Sequence, residues 1–87
     1  MSVLEVRYFA SLREFVGAER EQVVVTDGGV TLPELLDHLR VVHGDDLVDR
    51  LTGPGVRIAV NDTLQEGAPA LLRPGDVVAF LPPVTGG

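Results

Sequence analysis

The chain has no cysteine and no lysine. Without cysteine there is no disulfide framework, and no thiolate to serve as nucleophile, metal ligand or persulfide carrier. Without lysine all seven cations are arginine (positions 7, 13, 20, 40, 50, 57 and 73), and the N-terminus is the only primary amine. Long apolar runs are missing too: none approaches the roughly 20 residues that span a bilayer. Met1-Ser2 leads straight into alternating residues, with neither a basic nor an apolar leader region, which predicts a soluble, cytoplasmic chain. Cations are outnumbered, 7 against 13 Asp and Glu, for a formal charge of −6. That sign disfavours nucleic acid and anionic membrane surfaces. It suits a basic partner.

Catalytic signatures are equally scarce. There is no P-loop, GxGxxG, GxSxG or zinc-spaced Cys/His set. His38 and His43 stand five apart, so they do not share a helix face as paired metal ligands do. A helix C-terminal cation is the simpler role for His43. Asp45, Asp46 and Asp49 lack an EF-hand pattern and read as a solvated acidic loop. The 87 residues make one domain. A chain of this size buries only about 60–65% of its unfolded surface, which leaves no room for a deep, self-enclosed pocket. A carrier, adaptor or subunit is favoured over a stand-alone enzyme.

What is present is a regular alternation of elements. Val3 to Phe9 alternates as a strand, with Leu4, Val6 and Tyr8 on one face and Glu5, Arg7 and Phe9 on the other. Ser11 and Glu14 have capping-box spacing and open a short helix carrying Leu12, Phe15 and Val16, with Gly17 as its left-handed stop. Glu21 to Thr26 reads as a second strand. Thr31 and Glu34 form another capping box, with Pro33 in the first turn of the main helix. Leu32, Leu35, Leu36, Leu39 and Val42 trace its apolar stripe, and Gly44 ends it. A short helical turn is expected over 46–51. Val56 to Asn61 is a third strand, Asn61-Asp62 a turn, and Thr63-Leu64 a short strand. Arg73-Pro74-Gly75-Asp76 has the type II turn signature, and Asp76 to Leu81 is the last strand.

One amphipathic helix on one face of one sheet gives a two-layer α+β domain. The other sheet face is left to water or to a partner. Strand parity puts Phe9, Ala59, Ala79 and Leu81 on that outer face, with Leu64 close by at the edge. The last strand, Val77-Val78-Ala79-Phe80-Leu81, is apolar throughout, which implies that both of its faces are covered. The helix covers only one. An interaction surface is therefore expected on the other.

The end of the sequence is its least ordinary feature. With 10 glycines in 87 residues, a terminal Gly-Gly arises by chance roughly once in a hundred chains. Pro82 and Pro83 stop the last strand and stiffen its exit. Val84, Thr85, Gly86 and Gly87 then reach about 14 Å beyond the body. A tail ending without side chains can thread a narrow channel and present a carboxylate to another protein's active site. The division expected is a domain over 1–83 and a tail over 84–87.

The stretch Val77-Val78-Ala79-Phe80-Leu81-Pro82-Pro83-Val84-Thr85-Gly86-Gly87 resembles the end of molybdopterin synthase small subunits. So do Arg7-Tyr8-Phe9-Ala10 with Leu12-Arg13-Glu14, Val60-Asn61-Asp62, and Arg73-Pro74-Gly75-Asp76, in the order of that family. The resemblance implies a β-grasp, ubiquitin-like fold: a mixed sheet with one main helix on one face. It implies a sulfur carrier with a thiocarboxylate on Gly87, and Gly86 as the slender residue of the threading tail. No cofactor would be bound. ATP would be consumed by a ubiquitin-activating-type adenylyltransferase, and sulfur would come from a sulfurtransferase or cysteine desulfurase. The synthase large subunit would receive the tail, in a heterotetramer of two small and two large subunits. Its docking contacts would fall on Phe9, Ala59, Leu64, Ala79, Leu81, Pro82, Pro83, Val84 and Thr85. Sulfur carriers for thiamine, cysteine or tRNA thiolation, and ubiquitin-like modifiers joined through Gly87, share the fold and the Gly-Gly ending.

Overall fold

Alternation in the first residues sets the first strand. In the computed structural model, which describes residues 2–83, Val3–Tyr8 forms β1 with Leu4, Val6 and Tyr8 buried and the residues between them half-exposed. Helix α1 follows at Ala10–Val16 and stops at Gly17, whose φ of 82° lets its N–H turn back to the Arg13 carbonyl. The expected Ser11–Glu14 capping box does not form. The helix starts two residues earlier, with Phe9 as an extended N-cap that lends no side-chain bond. Ser11 thus lies inside the first turn, where its hydroxyl no longer faces the free N–H groups.

Strand β2 spans Arg20–Val24 and β1 pairs with it antiparallel. The main helix α2, Leu32–His43, opens with the expected capping box: the Thr31 hydroxyl accepts the Glu34 N–H, and the Glu34 carboxylate accepts the Thr31 N–H. Those hydrogen bonds, from backbone first and side chain second, hold the Glu34 carboxyl below its ordinary pKa. Leu35 and Leu39 are buried, and Leu32 and Leu36 flank them. Val42 departs from the expected stripe and is 57% exposed. The inward position four residues after Leu39 is His43, so the stripe ends in an imidazole instead of a valine. Helix α3, Asp45–Leu51, is longer than the expected turn and buries Leu47, Val48 and Leu51. It also takes in Asp45, one residue before the expected turn, so the acidic group of Asp45, Asp46 and Asp49 is helical and not a loop.

Strands β3 (Arg57–Val60), β4 (Thr63–Leu64) and β5 (Val77–Leu81) complete a five-stranded sheet in the order β2-β1-β5-β3-β4. The pairing of β1 with β5 is parallel and the others are antiparallel. This is the mixed sheet and helix layer of the β-grasp. Tyr8, Phe80, Leu4, Leu35, Leu39, Leu47, Leu72, Val6 and Val78 are its most deeply buried side chains. Each fully buried large side chain contributes about 1.5–3 kcal/mol.

Two turns fix the register of the central strands. Asn61 (φ 50°) and Asp62 (φ 69°) are both left-handed, the requirement of a two-residue type I′ hairpin. Asn61 also ties that hairpin to β5: its Oδ1 accepts the Val77 N–H at 2.9 Å and its Nδ2 donates to Asp76 at 3.0 Å. At Arg73–Asp76 the expected turn closes through Asp76 N–H to the Arg73 carbonyl at 3.1 Å, with Gly75 at φ 88°.

Candidate functional site

Strand β5 lies in the middle of the sheet, so every other residue of it faces away from the helices. Val77, Ala79 and Leu81 are half-exposed there, while Val78 and Phe80 are buried in the core. Register then decides what stands beside them. Arg7 is opposite Ala79, Ala79 opposite Ala59, and Ala59 opposite Leu64, so these four make one row across four strands. Arg57 is opposite Leu81 in the next row. Phe9 follows Tyr8, which pairs with Phe80, and so comes to the level of Leu81.

The outer face therefore has a low floor and raised apolar edges. Leu64 is 52% exposed and Phe9 41%. Ala59 corrects the expectation of an open contact residue: it is only 7% exposed, because its short methyl lies between the flanking strands. It supplies floor, not contact area. Covered on the helix side and half-open on this one, β5 is apolar on both faces as expected.

The exit from β5 is braced. Pro82 is half-buried and Pro83 exposed. Pro83 packs over Gly55, where a Cβ would stand 2.8 Å from the proline Cβ. Gly55 also has φ of 84°, so backbone and space both require glycine there. In the sequence it is one glycine of a Gly53-Pro54-Gly55 loop; nothing local marks it as the seat of Pro83. Val84, Thr85, Gly86 and Gly87 lie outside the described residues.

The face carries charge as well as apolar surface. Arg7, Arg20 and Arg57 project from it, with Glu5 beside Arg7 and Glu19 and Asp62 near enough to act on the same guanidinium. Arg7 bonds Glu5, and that hydrogen bond, followed by the charge of Glu5, raises the guanidinium pKa.

Elsewhere, the titratable side chains form no catalytic arrangement among the described residues. His43 Nε2 lies 2.9 Å from both oxygens of Glu21, and the Tyr8 hydroxyl donates to Glu21 at 2.9 Å. This cluster fastens the end of α2 to β1 and β2, with the Tyr8 and His43 rings edge to face. His38 is exposed, and no group of three or more metal-ligating side chains occurs among the described residues. An open hollow of about 300 Å³ beside β3 is lined by Leu32, Val56, Ile58 and Gln65 among others, and brings no hydroxyl or imidazole into it. No helix of the described residues is long and apolar enough to cross a membrane.

Comparison with known proteins agrees with this geometry. A family model described as the ThiS family matches residues 6–87. The chain is 35% identical over 85 residues to the molybdopterin synthase sulfur carrier subunit of Haemophilus influenzae, covering 98% of this chain and 100% of that one. It resembles a solved complex of subunits 1 and 2 of the molybdopterin-converting factor from Helicobacter pylori, at 29% identity and a TM-score of 0.66, with 98% and 99% of the two chains covered. It also resembles small archaeal modifier protein 1 from Methanosarcina acetivorans, at 25% identity and a TM-score of 0.77, covering 100% and 98%.

Proposed function

Because the chain belongs to the ThiS family, we propose that it is the sulfur carrier subunit of a cytoplasmic molybdopterin synthase. It is not a catalyst by itself. What carries the reading is the course of β5: the central strand runs past an open apolar face into Pro82-Pro83 and on to Val84-Thr85-Gly86-Gly87. A partner seated on the face receives the tail in its own active site. The likeness to the Haemophilus carrier subunit and to the two-subunit Helicobacter complex supports a large subunit as that partner.

The chemistry follows from the carboxyl group of Gly87. A carboxylate is a poor acyl donor, so an adenylyltransferase joins it to AMP and releases pyrophosphate from ATP. The persulfide of a sulfur donor then attacks the acyl carbon and AMP leaves; a thiol reductant cleaves the acyl disulfide so formed, and Gly87 is left as a thiocarboxylate. In the large subunit that sulfur passes to the pterin precursor, and the carboxylate returns. With no cysteine on the chain, the terminus is the only place for the sulfur to ride.

Mass spectrometry of the chain co-expressed with its adenylyltransferase and sulfur donor tests this. Replacement of one oxygen by sulfur on Gly87 is the expected product. A ladder of adducts on lysines of other proteins would support instead the modifier reading that the Methanosarcina likeness favours. In a single-turnover assay Gly86→Val should lose most of the transfer. Its melting temperature should stay near wild type, since surface substitutions rarely exceed about 0.5 kcal/mol.

A further inference from the structure

The outer sheet face is far less acidic than the rest of the molecule. The chain totals −6, and α2 with α3 contributes Glu34, Asp37, Asp45, Asp46 and Asp49 against Arg40 and Arg50. On the sheet face Arg7, Arg20 and Arg57 offset the carboxylates of Glu5, Glu19 and Asp62, all three of which act on Arg7. Arg7 and Arg20 are directly opposite each other on β1 and β2. Like charges in that position repel and destabilise a sheet. Glu5 bonds Arg7 alone, and among the described residues neither Arg20 nor Arg57 has an ion-pair partner. Arg57 stands beside Leu81, at the end of β5 from which the tail departs.

An unpaired arginine rim around an apolar floor has the make-up of a protein interface, where arginine is enriched and charges gather at the edge. We propose that Arg20, Arg57 and Arg7 select an acidic partner surface: the large subunit presents carboxylates around the apolar patch that meets Leu81, Leu64 and Phe9. The proposal rests on the carrier reading above and adds the chemistry of the partner. It also reverses the expectation from net charge, that a basic partner would be preferred. The acidic helices on the far side of the molecule turn the sheet toward such a surface during approach, because charge distribution, not total charge alone, steers association.

The test is stopped-flow association of the full-length chain with the molybdopterin synthase large subunit of the same organism, across a range of ionic strength. The association rate should fall as salt is added, although the carrier is itself acidic. Arg20→Glu with Arg57→Glu should slow association about tenfold or more at low salt, flatten the salt dependence and change dissociation little. Arg20→Glu should also raise the melting temperature, since it relieves the repulsion with Arg7 and shows that the slower variant is folded. A rate that rises with salt, or one unchanged in the double variant, overturns the proposal. Leu81→Glu separates the two readings. If it abolishes binding while the arginine variants associate like wild type, only the charge proposal falls. If the large subunit binds none of the variants or the wild type, the carrier reading falls and takes this one with it.

Discussion

At the scale of single residues, Tyr8 shows how one buried hydroxyl couples the fold to pH. It is the only tyrosine in the chain. Burial first, and then the hydrogen bond to Glu21, push its phenol pKa well above the ordinary value. The folded state therefore keeps the proton longer than the unfolded chain, whose phenol ionises near pH 10. The contribution to stability is complete below about pH 10 and declines as pH rises above it, by at most about 1.4 kcal/mol per pH unit. Tyrosinate absorbance should appear only together with unfolding, and Tyr8→Phe should abolish this part of the alkaline slope. A phenol that ionises near pH 10 while the circular dichroism stays native would contradict it. Gly55 makes the second prediction at this scale. Gly55→Ala forces a Cβ against Pro83 at a positive φ, and should destabilise the chain by about 1 kcal/mol or more. Because the tail leaves from Pro83, transfer to the large subunit should slow as well, which a folded but misdirected tail would show in single turnover.

At the scale of elements, two serine- or threonine-led helices had the same sequence pattern and different outcomes. Thr31 and Glu34 cap α2, whereas Ser11 and Glu14 do not cap α1. The pattern records which bonds are available, but the path of the preceding strand decides where the helix begins. At α1, β1 is pinned between β2 and β5, so the chain turns at Phe9 and passes Ser11 before a cap can form. Thr31→Ala should therefore lower stability by about 1 kcal/mol, and Ser11→Ala by much less, as chemical denaturation of the two variants can compare. The hairpin of β3 and β4 went the other way and was legible locally: Asn61-Asp62 accepts the two positive φ values that the turn requires.

At the scale of the whole molecule, the proposed docking surface is assembled by non-local pairing. Arg7, Ala79, Ala59 and Leu64 come from four strands and meet only because β5 inserts between β1 and β3. Leu81→Glu places a charge in the middle of that surface and should cost about 2 kcal/mol or more of affinity for the large subunit, as central contacts do. Because Leu81 is half-exposed and faces away from the helices, thermal unfolding should move little. Calorimetric titration that finds wild-type affinity would remove the face from the docking interface.

The order of elements, the inward set Leu4, Val6, Tyr8, Leu35, Leu39, Val78 and Phe80, the glycine stops and the Pro-Pro exit were determined by the sequence alone. Each depends on a period of two or 3.6 residues, or on a backbone preference that neighbours in the chain settle. Strand parity was enough to assign Phe9, Ala59, Leu64, Ala79 and Leu81 to the outer side. How far each of them stands out was decided only by tertiary structure. Ala59 sinks between its neighbours, His43 displaces Val42 from the core side of α2 to meet Glu21, Gly55 receives Pro83, and Arg20 comes to face Arg7. These outcomes depend on residues far apart in the chain, whose distances follow from sheet register and packing and leave no mark on local composition.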